Sequence, residues 1–280
     1  MPLVTTAELL RAATANGSGV AAFNVVTLEH GEGIVAGAQR AATPVILQVS
    51  ENTVAFHGSL RPLSAALAAL AFDAAVPVGL HLDHVEAPHL WEQAAAAGYS
   101  SVMVDGGALP YDRNVAVTAE ATARLQGQGL TVEAELGYVG GKDSQVSNAH
   151  APGVRTDPRQ AAEFVAATGV DALAVAVGSS HAMTTQTAEL DLELVAALRD
   201  TLTVPLVLHG SSGVPDDTLR AAVRAGIVKV NVGTALNVAY TGAVRSALAA
   251  DDAVDPRKAL RSARTAVADA VAHLLDVVSR

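Results

Sequence analysis

Three histidines, His84, His181 and His209, each stand where a short apolar run gives way to polar residues. Taken singly, each reads as a capping or hydrogen-bonded side chain. Brought together from three sides, neutral imidazoles make a tetrahedral zinc site with one position left for a substrate. Asp105, Glu133 and Glu135 are suited either to orient such imidazoles or to join them as ligands, and the two glutamates, two residues apart in one run, face the same side of a strand. The chain has no cysteine, which excludes disulfides and thiolate ligation and leaves His, Asp and Glu as the strong ligands.

A second chemistry lies in two glycine-rich turns. HGSSG at 209–213 precedes a helix beginning near Pro215, and NVGT at 231–234 precedes a helix from 235. Exposed backbone N–H groups at such turns, with the helix dipole behind them, favour an anion such as phosphate. The plain alternative is two tight strand-to-helix turns. His30, His57, His89, His150 and His273 fall on predicted helices or loops and read as surface or packing residues.

The elements that must position these groups are short Val/Ile/Leu-rich runs at 20–25, 44–49, 76–83, 101–105, 131–137, 171–178, 204–210 and 227–233. Between them lie stretches of helical period, among them 28–41, 86–97, 110–128, 158–168, 190–202 and 215–225. Near-continuous apolar strands alternating with helices predict a parallel sheet, and eight units predict an α/β TIM (β/α)8 barrel, with 256–279 as an additional C-terminal helix. An open doubly wound sheet is the competing topology. In a barrel, polar residues at strand ends gather at one face, and here nearly every strand supplies one, from Asn24, Gln48, Ser50, His81 and Asp83 to Asn231. Long connections at 138–157 and 179–189 read as lids or binding loops, or as plain surface loops.

At 280 residues the chain is close to the roughly 250 of such a barrel, so one domain over 1–280 is expected. Aromatic residues are 3% of the chain, so Ala, Val and Leu must fill the core. Scattered Lys and Arg within a net charge of -10 make no basic stripe and argue against nucleic acid as a partner. No apolar run approaches the roughly 20 residues of a membrane span, and the start, MPLVTTAELLRAA, reads as a capped helix instead of a signal peptide. No membrane partner and a cytoplasmic location are the expectation.

HLDH at 81–84, EAELGYVGG at 133–141, GSSH at 178–181, HGSSG at 209–213, KVNVGT at 229–234 and DPRKAL at 255–260 together resemble the class II aldolase family, in family order and along almost the whole chain. The compact length is similar to the subgroup of tagatose-bisphosphate and short fructose-bisphosphate aldolases. The resemblance implies that His84, His181 and His209 bind Zn2+, with Glu135 and Asp105 beside the metal, and that Asp83 is the general base for the C4 hydroxyl of a ketose phosphate. It implies that Gly210, Ser212, Asn231 and Thr234 hold phosphate, that a monovalent cation, Na+ or K+, sits beside it, and that Asn24 and Ser50 lie near the substrate. Asp143 matches the family's mobile acid. Arg257 is expected to reach a neighbouring subunit's phosphate site in a homodimer or homotetramer; the apolar C-terminal helix needs cover, from the barrel or from such a neighbour.

Three departures bear on substrate more than on chemistry. Ala182 stands where the family usually has Gly, so a backbone contact to phosphate is altered. Gly233 replaces the Asp of fructose-specific members or the Ala of tagatose-type members, with Ala235 where an acid is common. Asp143 is one methylene shorter than the usual Glu. On this reading Gly233 weakens discrimination between fructose and tagatose 1,6-bisphosphates, and Gly233→Asp should shift preference toward fructose. Two rival readings are a Schiff-base aldolase using Lys229, and a noncatalytic stabilising subunit of an aldolase complex.

Overall fold

The computed structural model describes residues 2–137, 139, 155–250, 252 and 254–279. Eight parallel strands, β1 (Val20–Asn24), β2 (Val45–Ser50), β3 (Val78–Val85), β4 (Ser101–Val104), β5 (Thr131–Leu136), β6 (Ala172–Val175), β7 (Leu206–Leu208) and β8 (Ile227–Val232), close on themselves in sequence order. Closure is made by β1 on β8, with Ala22 opposite Asn231. The open-sheet alternative is thereby removed.

The helices are α1 (Thr6–Asn16), α2 (Leu28–Ala41), α3 (Glu51–His57), α4 (Arg61–Asp73), α5 (Pro88–Ala94), α6 (Tyr111–Gln126), α7 (Pro158–Thr168), α8 (Leu192–Thr201), α9 (Asp216–Ala225), α10 (Thr234–Ala250) and α11 (Pro256–Val278). The first forms where a capping box predicts it: Thr5 accepts from the Glu8 amide, and Glu8 accepts from the Thr5 amide at 2.8 Å. Its buried Leu9, Leu10 and Ala13 pack on Val20, Ala22, Ile46, Ala172, Ala174 and Val207, the small inward residues of four strands. One end of the barrel is thus plugged by apolar side chains. A second, larger apolar layer lies between the strands and the outer helices.

The strands β6 and β7 are shorter than the apolar runs at 171–178 and 204–210. Beyond them the backbone turns at Gly178 (φ 123°) and Gly210 (φ 67°), left-handed conformations that leave the ladder. Conversely, β3 runs past residue 83 and takes in His84. Both changes enlarge the polar rim at the strand ends.

The C-terminal helix α11 does not wait for a neighbour to cover it. It lies on α2 and α10, with Val267, Val271, Leu275 and Val278 buried, and the Val278 carbonyl accepts from the Gly19 amide at 3.0 Å, just before β1. Uncovered apolar surface falls instead on α10, where Leu236 is the buried residue while Val238 and Leu248 are exposed. No single helix among the described residues is long and apolar enough to cross a membrane.

Candidate active site

Neighbouring residues in a strand point to opposite faces, so Asp83 and His84 should not share a site. They do, because the β3/β4 register shifts between Leu82 and Val85 and His84 takes a left-handed φ of 50°. A β-branched or bulky side chain rarely adopts this conformation, and here it turns both side chains into one pocket. The same pocket, about 440 Å³, is lined from β1 by Asn24, from α3 by Asn52, Thr53 and Phe56, and from the β6, β7 and β8 ends by His181, Ser212 and Gly233.

The three imidazoles converge. Ring centroids of His84 lie 4.8 Å from His209 and 5.1 Å from His181, and those of His181 and His209 are 5.7 Å apart. With Glu135 they offer four ligand atoms within 4.8 Å of one another. Two of these atoms decide whether a metal fits. His209 Nδ1 and Glu135 Oε2 are buried and stand 3.0 Å apart, and no other group satisfies either atom. Atoms so placed need positive charge between them, either a proton or a cation, and with the His84 and His181 imidazoles beside them a divalent cation fits this nitrogen and oxygen set.

The outer shell is built to the same end. His209 donates from Nε2 to Glu133 Oε1 at 3.0 Å, which turns Nδ1 to the cluster. Burial would lower the His209 imidazole, yet its contacts with Glu133 and Glu135 raise it to about 9. Asp105, suited by sequence either to orient an imidazole or to join as a ligand, has its Oδ2 2.7 Å from His84 Nδ1 and lies outside the four-residue cluster, where it is placed to orient His84. Glu133 in turn accepts from Lys229 Nζ at 2.6 Å, and Lys229, expected near a strand end, is fully buried and does not line the pocket. A lysine held this way has no open path to a carbonyl.

Asp83 is fixed from two sides. Asn24 donates from Nδ2 to its Oδ2 at 2.9 Å, and Gln48 donates to Asn24 Oδ1 at 2.9 Å, while Asn231 Nδ2 lies 3.5 Å from Oδ1. Burial alone would raise its carboxyl, but the charges of His84, His209, His81 and Lys229 bring it down to about 2. The group is ionised at neutral pH.

The two glycine-rich turns meet at the pocket. Ser212 Oγ accepts from the Ala235 amide at 3.0 Å, tying the β7 turn to the N-terminus of α10. A Cβ on Gly210 would come within 2.6 Å of the Ser180 backbone, so the turns that carry His209 and His181 lie in contact. Gly210, Ser212, Asn231, Gly233 and Thr234 all line the pocket, as do Ser50, which also caps α3, and Ala182. Ala182 holds φ at 59°, a conformation that costs a non-glycine residue about 1–2 kcal/mol, which is the physical reason for Gly at such a position. At Gly233 a Cβ would stand 2.8 Å from Asn24 Oδ1, so an aspartate there would not merely add a contact to the sugar.

Arg257 is far more exposed than these. It folds back on Asp255, with Nη2 2.6 Å from Oδ2, and does not line this chain's pocket. Asp143 and His150 lie outside the described residues. His30, read as packing, is buried with its ring stacked 4.2 Å from Tyr240, whereas His57, His89 and His273 are exposed. Sequence reasoning missed Asn52, Thr53, Phe56 and Asn237, pocket residues whose one local signal is that Ser50 and Thr234 begin helices.

Comparison with known proteins agrees with this geometry. Residues 4–280 match the family described as fructose-bisphosphate aldolase class-II. The YdjI aldolase from Escherichia coli K12 is 33% identical, with a TM-score of 0.87 over 99% of this chain and 97% of that one. Fructose-bisphosphate aldolase from Campylobacter jejuni is 22% identical with a TM-score of 0.83 over 99% and 95% of the two chains, a likeness of fold. Since the family match runs from before the first helix to the end of the last, this chain belongs to the class II fructose-bisphosphate aldolase family and is an aldolase, a carbon–carbon lyase.

Proposed function

We propose that this aldolase is zinc-dependent and reversibly cleaves a phosphorylated ketose between C3 and C4, acting as one domain over residues 1–280. The substrate is fructose 1,6-bisphosphate or its C4 epimer tagatose 1,6-bisphosphate, and the products are dihydroxyacetone phosphate and glyceraldehyde 3-phosphate. The observation that carries the reading is the cluster of His84, His181, His209 and Glu135, with His209 Nδ1 3.0 Å from Glu135 Oε2, beside an ionised Asp83.

His84, His181, His209 and Glu135 would hold the zinc, which when bound supplies Lewis-acid stabilisation of the negative charge that develops at the ketose oxygens. Gly210, Ser212, Asn231 and Thr234 seat the phosphate, with Na+ or K+ beside it, and so fix the sugar relative to the base. Asp83 takes the proton from the C4 hydroxyl as the C3–C4 bond breaks, held in line by Asn24. Asp143 returns a proton to the three-carbon product. Read backwards, the same groups run the condensation.

The active form is a homodimer or homotetramer in the cytoplasm, its contacts made by the exposed apolar side of α10, with Arg257 directed to a neighbour's second phosphate. Chelation and borohydride treatment test the chemistry. Loss of turnover on chelation, with recovery on added zinc and no trapping by borohydride in the presence of substrate, is the expected result. Protein that binds no zinc and turns over no ketose phosphate would favour the noncatalytic-subunit reading instead.

A further inference from the structure

We propose that Asn237 is a further phosphate-binding residue of this site and that His30, behind the pocket wall, is the positioning residue that sets it. The proposal rests on the reading that the turn at Gly233 and Thr234 seats a phosphate. Asn237 closes the first turn of α10 and lines the pocket. Its amide donates to the Gly233 carbonyl at 3.2 Å, and it follows Thr234 by three positions, so the two side chains are neighbours on one face of the helix. A carboxamide there can add a hydrogen bond to an anion held at the helix N-terminus.

What holds Asn237 comes from α2. Leu236 is the single buried residue of α10, so that helix is thinly anchored. By contrast α2 is locked against α11: a Cβ on Gly33 would meet the Arg264 carbonyl at 2.9 Å, and one on Gly37 the Ala268 carbonyl at 2.6 Å. From this platform the His30 ring lies flat on Tyr240, one turn beyond Asn237, with centroids 4.2 Å apart and planes 5° from parallel. The Thr27 hydroxyl does not cap α2 but sits 3.1 Å from His30 Nδ1, which fixes the ring in its plane. That leaves Nε2, buried and without a hydrogen bond, on a residue only 3% exposed. Burial keeps this imidazole neutral at pH 7; against burial work the Glu29 charge and then the Asn237 carboxamide, which favours the protonated ring and so turns its oxygen toward it. With the oxygen turned to the ring, the Nδ2 hydrogens are left for the pocket, and these are the donors an anion requires.

The test uses the full-length, zinc-loaded enzyme, the ketose phosphate that the wild type turns over fastest, and inorganic phosphate as a competitive inhibitor. Asn237→Ala should raise both KM and the inhibition constant of phosphate by about 5- to 20-fold with kcat within about twofold, the signature of lost binding. His30→Phe keeps a flat ring on Tyr240 and removes the nitrogen left to Asn237, so it should raise the same two constants by about 3- to 10-fold. The double variant should lose less than about twofold beyond Asn237→Ala alone, because both changes act through one group. Asn237 is exposed, so its replacement carries the test even if His30→Phe is unstable. Unchanged constants in Asn237→Ala or in a folded His30→Phe, a fall in kcat with KM intact, or losses that multiply in the double variant would each overturn the proposal. Thr234→Ala with an unchanged inhibition constant for phosphate would instead sink the phosphate site on which it rests.

Discussion

The ammonium of Lys229 lies 2.6 Å from the carboxylate of Glu133, and that carboxylate lies 3.0 Å from His209. Lys229 therefore serves a buried ion pair. Removing one partner of such a pair leaves the other charge unsolvated, so Lys229→Met should destabilise the fold by about 3–5 kcal/mol in chemical denaturation. A loss under about 1 kcal/mol would mean that water or another group reaches Glu133.

Substitution of the cluster should separate binding from proton transfer. Each of His84→Ala, His181→Ala and His209→Ala should sharply lower bound zinc, measured by elemental analysis after dialysis. Asp83→Ala should keep the zinc and lose turnover by about 10²- to 10⁴-fold, the range for a general base. Equal loss of metal in all four variants would show Asp83 to be structural.

Asp105 meets the site at His84, 2.7 Å away. Asp105→Ala is expected to weaken zinc binding by about 10- to 100-fold in a chelator competition, with activity restored by excess zinc. Activity that stays lost at saturating zinc would point to a direct role.

Burial holds the His30 imidazole at about 4, below its ordinary 6.5. The unfolded chain then binds more protons than the folded one between these values, so this stabilisation is complete above the unfolded value and is lost as pH falls toward the folded one. The melting temperature of His30→Gln should accordingly approach that of the wild type on going from pH 7.5 to about pH 5. A gap that stays constant between the two pH values would show that His30 does not titrate on unfolding.

The order of eight strands was legible because parallel strands covered on both faces read as unbroken apolar runs, and polar residues interrupt them where the barrel opens. The three histidines could be chosen for the same reason. What could not be read is anything set by distance across the barrel. Asp105 and Glu135 are equally plausible ligands in sequence, and only the 2.7 Å contact to His84 separates their roles. The shared orientation of Asp83 and His84 depends on a register shift that period-two reasoning excludes. Gly233 reads as a missing contact, while in space it is room for Asn24. Whether α11 packs on the barrel or on a neighbouring subunit could not be read, because its partners, α2 and α10, are one remote and one near in sequence, and helical period shows a face but not what it meets.

The hydrogen bond from the Gly19 amide to the Val278 carbonyl bears on how the molecule is made. It couples the start of β1, five residues before Asn24, to the final turn of α11. On the ribosome this contact cannot form until residue 278 has left the exit tunnel, later than the β1–β8 ladder, which needs only residues up to Val232. A nascent chain stalled short of α11 would carry all eight strands, with Asn24, Gln48 and Asp83 among them, and still lack this contact at the start of β1.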